Sequence, residues 1–181
     1  MKLTLPLACA QAILVLAAGC STTGASPPDT RPLGNVTSSP RECDLISAEA
    51  IRIATGLTDY KAFGTKTDMG RHFESCTVSK KSGAEDGEGL LIEVFDPSPI
   101  SPEGLENTKK IAQGNDLPGA LGPGFAARRE NAQDQRIAFV YGWTSDYKRL
   151  LTINLVEGAP GRDSLADATE FFRQLKPLLL A

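Results

Sequence analysis

Two stretches in the last third of the chain constrain its fold more than any other part. Residues 135–142 place Ile137, Phe139 and Tyr141 at alternate positions, and residues 148–156 do the same with Leu151, Ile153 and Leu155. A period of two belongs to strands, whose side chains point to opposite faces in turn. Only a short polar segment separates the two, so they pair as an antiparallel hairpin. A face that is apolar at every second residue must be buried, and the rest of the chain has to supply what covers it.

The same pattern extends the sheet in both directions. Gly124–Glu130 reads as a strand before the hairpin. Residues 72–80 alternate, with Glu74, Cys76 and Val78 on one side and Phe73, Ser75 and Thr77 on the other. Leu90–Asp96 follows across the acidic turn Gly83–Gly89. Residues 57–70 and 115–124 are mixed and Gly-punctuated, and read as loops. Three helices complete the pattern. Ser47 caps one that Gly56 ends. Ser101-Pro102-Glu103 opens a second, closed by Gly114. Asp163 or Ser164 caps a third, with Leu165, Ala168, Phe172 and Leu175 on one face. The expected fold is α+β: a curved antiparallel sheet of about five strands with helices packed on one face.

The N-terminus is of another kind. Lys2 precedes an apolar run, Leu3 to Leu16, followed by the small residues Ala17, Ala18 and Gly19 and then Cys20. The run is too short and too interrupted by Pro6 and Gln11 to span a bilayer. The Gly19-Cys20 junction resembles the bacterial lipoprotein signal. That resemblance implies transfer of a diacylglycerol to the Cys20 thiol, cleavage before Cys20, palmitate among the acyl chains, and a location on the extracytoplasmic face of the cell membrane, held by lipid. Residues 21–41, rich in Ser, Thr, Pro and Gly, read as a flexible linker. The expected organisation is a signal peptide over 1–19, lipidated Cys20 and linker over 20–41, and a single α+β domain over 42–181.

Cysteine arithmetic follows from this. Cys9 leaves with the signal and Cys20 carries lipid, so Cys43 and Cys76 remain, in an oxidising compartment where a disulfide is the default. Closing a loop of about 34 residues is worth roughly 3.5–4 kcal/mol in the chain-entropy account. The chain carries a net charge of −3 and has no basic run. That argues against a nucleic-acid partner and leaves no polybasic second membrane signal.

The succession of lipidated cysteine, Ser/Thr/Pro linker, Cys43-Asp44-Leu45 opening a helix that ends at Gly56, Cys76 in a strand and Leu121-Gly122 before a strand pair resembles a known family. It is similar to the two-cysteine actinobacterial lipoproteins grouped as domain of unknown function 3558. The resemblance covers residues 40–181. It implies an envelope lipoprotein and brings no catalytic residues with it.

Candidate sites are few. His72 is the only histidine, and no Gly-x-Ser-x-Gly elbow accompanies it. Glu85-Asp86-Gly87-Glu88 offers oxygen ligands but matches no calcium loop. Gly119-Ala120-Leu121-Gly122-Pro123-Gly124 has the wrong order for a dinucleotide fingerprint, and Pro123 lacks an N–H. Tyr141, Trp143 and Tyr147 flank a turn, where exposed aromatics would suit a sugar or a protein partner. No cofactor and no metal is expected. The chemistry favours a non-catalytic binding or sensing module for an envelope protein, glycan or lipid ligand. The alternatives are an envelope hydrolase using a carboxylate pair and a lipid carrier.

Overall fold

The computed structural model describes residues 28–68, 70–81, 88–132 and 134–181. A two-residue hairpin, β1 (Arg41–Glu42) and β2 (Ile46–Ser47), leads into α1 (Ala48–Thr55). Three long strands follow: β3 (Tyr60–Asp68), β4 (His72–Lys80) and β5 (Glu88–Asp96). Then come α2 (Pro102–Ile111), β6 (Asn115–Asp116), β7 (Gly124–Glu130), β8 (Arg136–Trp143), β9 (Leu150–Val156) and α3 (Ser164–Leu179). The fold is α+β, as expected, but the open antiparallel sheet has seven strands, in the order β3-β4-β5-β9-β8-β7-β6. The two extra strands, β3 and β6, lie in the segments expected to be loops.

The helix signals act largely as their chemistry dictates. The Ser47 side chain accepts from the Ala50 N–H, and Gly56 ends α1 in the left-handed conformation at φ 71°. Ser101 caps α2 through the Gly104 N–H, but the helix ends at Ile111, before Gly114. Asp163 caps α3 by accepting from both Leu165 and Ala166 N–H groups.

The main core lies between the sheet and the pair α1 and α3. Ala50, Ile51 and Ala54 of α1 and Ala168, Phe171, Phe172 and Leu175 of α3 meet Cys76, Val78, Leu90, Ile92, Val140, Ile153 and Leu155. Phe171 and Phe172 are fully buried, each worth roughly 1.5–3 kcal/mol in removed apolar surface. Gly142 lets α3 approach β8, since a Cβ there would stand 2.0 Å from the Phe172 ring.

A second core occupies the opposite face. Leu105 of α2 packs with Phe125, Ala127, Ile137, Phe139 and Trp143. The expectation of helices on one face is therefore corrected: α2 covers the β7–β8 end of the far face. Buried residues run almost continuously along β8 and β9 because both of their faces are covered.

The linker expectation is also corrected in part. Leu33 and Val36 are buried in the main core. The Val36 N–H donates to Gln174 Oε1 at 3.0 Å, and Gln174 Nε2 donates to the Gly34 carbonyl at 2.8 Å. From residue 28 onward the segment lies against the domain. Two apolar residues among Ser, Thr and Pro suffice because each is buried in the main core.

Candidate functional site

Most of the residues singled out from sequence turn out to be structural. Cys20 and Glu85, Asp86 and Gly87 of the acidic turn lie outside the described residues, while Glu88 opens β5. Cys43 and Cys76 are joined by a disulfide with Cα atoms 5.8 Å apart, tying the β1–β2 turn to the middle of β4. His72 Nδ1 stands 2.5 Å from Asp68 Oδ1, and its Nε2 lies 3.7 Å from Glu74 Oε2. The imidazole thus sits between two carboxylates. The Gly119–Leu121 segment is a single 3-10 turn.

Trp143 is buried, which corrects its place in the partner surface expected of Tyr141, Trp143 and Tyr147. Trp143 is 0% exposed, and its indole Nε1–H donates to Ser98 Oγ at 2.9 Å. Tyr141 is half-buried, 6.3 Å from Trp143 ring to ring, and burial pushes its hydroxyl pKa up. Tyr147 is half-buried too, at φ 58° in the turn. The flat indole needs a dry, wide site, and the second core provides one next to a hydroxyl acceptor.

The concavity best furnished with unspent chemistry lies elsewhere, at the end of the sheet where β7 turns into β8 and β9 leads toward α3. It encloses about 640 Å³ and is lined by Arg128, Arg129, Arg136 and Arg162, by Glu130 and Glu157, and by backbone 158–161. Register builds it: Glu130 pairs with Arg136 across the hairpin, and the Glu157 N–H donates to the Arg136 carbonyl at 2.8 Å.

The four arginines differ in how far their charge is already used. The Arg162 side chain is only 4% exposed and is held by Asp167 through two bonds, of 2.6 and 2.7 Å, with Asp29 at 3.3 Å. The Asp167 hydrogen bonds, more than any other contact, raise the Arg162 pKa further. Arg162 is structural. Arg128 is exposed and pairs with Asp163. The Arg129 guanidinium lies 5.3 Å from the Phe139 ring centroid, a cation–π arrangement that props it up. Among the described residues, neither Arg129 nor Arg136 has a carboxylate within ion-pair distance. With Arg128 and Arg162 already paired, the cleft offers Arg129 and Arg136 beside Glu130 and Glu157, a balanced set of charges; its guanidinium N–H groups can hold an anionic oxygen by forked, charge-assisted hydrogen bonds.

Sequence reading missed this site because Arg128-Arg129, Arg136 and Arg162 form no run. The only sequence signal was the adjacent Arg128-Arg129 pair at the end of a strand. Among the described residues no group of His, Cys, Asp and Glu could hold a metal ion, and no helix is long and apolar enough to cross a membrane. No family model, curated protein or solved structure matches this chain.

Proposed function

We propose that the chain is a lipid-anchored extracytoplasmic lipoprotein, akin to the two-cysteine family named above, and that it is a binding module for an anionic ligand. The observation that supports the binding reading is a cleft lined by Arg129 and Arg136, neither of which has a carboxylate at ion-pair distance among the described residues; Arg129 stands with Phe139 on one face of the β7–β8 hairpin and Arg136 with Glu130 on the other. The anchor reading rests on the Gly19-Cys20 junction. Guanidinium groups bind phosphate and carboxylate oxygens in planar, two-pronged fashion and are less strongly hydrated than ammonium, so they give up water readily to a ligand. A tethered module needs little intrinsic affinity, because the tether supplies effective concentration.

Two experiments test the two halves. Cys20→Ser should abolish incorporation of labelled fatty acid; continued labelling refutes the anchor. Titration of the purified lipidated protein with inorganic phosphate should show binding that R129E/R136E weakens at least tenfold with little change in melting temperature. Equal binding by the variant refutes the cleft. Turnover of an envelope glycan that is lost in E130Q or E157Q would replace the binding reading with the hydrolase.

A further inference from the structure

We infer that β3 is a pairing edge, through which two copies of the chain join, antiparallel and two-fold symmetric, into one continuous sheet. This is independent of both the cleft and the anchor. The seven-stranded sheet is open, and its two edges differ. β6 is a stub of 2 residues, whereas β3 runs for 9, in unbroken register with β4 and without a proline. A long, regular edge strand is a template for a further strand.

The ladder decides which backbone groups that edge offers. The Lys81 N–H donates to the Asp59 carbonyl at 3.4 Å, and these two residues stand opposite one another, one step beyond the Tyr60–Lys80 pair. Facing residues in an antiparallel pair alternate between hydrogen-bonded and non-hydrogen-bonded. The odd-numbered residues of β3 therefore bond to β4. Tyr60, Ala62, Gly64, Lys66 and Asp68 turn their N–H and carbonyl groups outward, and among the described residues no other element bonds to them.

The strand is complementary to itself. An antiparallel copy centred on Gly64 sets Tyr60 opposite Asp68, Ala62 opposite Lys66, and Gly64 opposite Gly64. All of these turn their backbone groups outward, so every such pair is of the hydrogen-bonded kind. Together they make about ten bonds, as many as a protein–protein interface of ordinary size carries. No other two-fold centre uses the whole strand. Lysines usually discourage edge pairing, but here Lys61 meets Thr67 and Lys66 meets Ala62, so like charges do not face each other. Lys66 also has Glu74 at 3.8 Å on its own sheet. Phe63 is 68% exposed, next to Gly64 and on the opposite face from Cys76 and the main core. Across the two-fold axis the two Phe63 rings become diagonal neighbours, within aromatic reach. That contact marks a second copy as the occupant, since an unrelated strand would use the backbone groups alone.

The test uses the full chain in detergent, with Lys61→Cys and Thr67→Cys made as separate variants and then mixed under mild oxidation. In this register the two positions face each other between copies, whereas Lys61 lies about 20 Å from Lys61 of the second copy. A covalent dimer, with its linked peptides read by mass, should form in the mixture and not in either variant alone. Adding Phe63→Lys to both partners should cut its yield several-fold with the melting temperature unchanged, because the side chain is exposed. Ala62→Pro, which removes one outward N–H and leaves the β4 ladder its bonds, should do the same. No link in the mixture overturns the inference, whether the edge stays bare or another segment of the chain lies along it. Equal links in each variant alone mean chance collision or a different register and overturn it too. So does a yield that neither Phe63→Lys nor Ala62→Pro reduces.

Discussion

Trp143 shows how a residue's neighbours in sequence can misstate its place. Tyr141, Gly142, Thr144 and Ser145 surround it with turn-like composition, yet the indole is wholly enclosed and hydrogen-bonded to Ser98. Its partner lies 45 residues away, so no local pattern could report it. Trp143→Ala should lower the unfolding free energy by about 3–5 kcal/mol, the usual loss for a large buried aromatic. Urea unfolding at neutral pH checks this. A change under about 1 kcal/mol, within the range of ordinary surface substitutions, would return the residue to the surface. The arginines present the converse case. Each reads as an ordinary surface charge in sequence, and only the register of β7 on β8 sets Arg129 and Arg136 in adjacent cross-strand pairs at the same end of the sheet.

At the scale of elements, β3 was concealed by the residue that lets it form. Gly64 and the flanking lysines gave its sequence the look of a loop, but a Cβ at Gly64 would stand 3.2 Å from that of Cys43. Gly64 pairs with Cys76, so the disulfide lies over this part of the β3–β4 ladder. Half-exposed alternation along an edge strand is also a weaker signal than the apolar runs of β8 and β9. By contrast, α1, the five expected strands and α3 were legible, because caps and periodicity are local properties. The side of the sheet taken by α2 was not legible, since it depends on which face of β7 and β8 stays open. The disulfide joins residues 33 apart, and its loss through Cys43→Ser should cost about 2–5 kcal/mol. Denaturant unfolding of the variant beside wild type measures this. An unchanged midpoint would show that the bond contributes nothing to the domain.

The whole molecule should respond to acid in one direction. The Ala166 N–H, with Arg128, holds the Asp163 carboxyl below its usual pKa, and Arg173 does the same for Glu170. Asp146 is brought down to about 2, chiefly by the Thr144 hydroxyl, and Asp29 lies well below the usual carboxylate range, chiefly through Arg31. A carboxylate whose pKa is lower in the folded chain stabilises it fully above its unfolded value, near 4, and loses that contribution as pH falls toward the folded value. The melting temperature should therefore vary little through these groups from pH 7 to about pH 5 and fall steadily below about pH 4. A profile level down to about pH 2 would contradict this. The sheet order carries a kinetic consequence of its own. Strands β3 to β5 and β6 to β9 are two meanders whose internal pairings are local, and only the β5–β9 ladder joins them. Closing that seam brings together residues as far apart as Leu90 and Leu155, 65 positions in sequence, at a loop-closure cost neither meander meets internally. Conservative truncations at Ile92 and Ile153 should then slow folding, while those in the β3–β4 hairpin mainly speed unfolding.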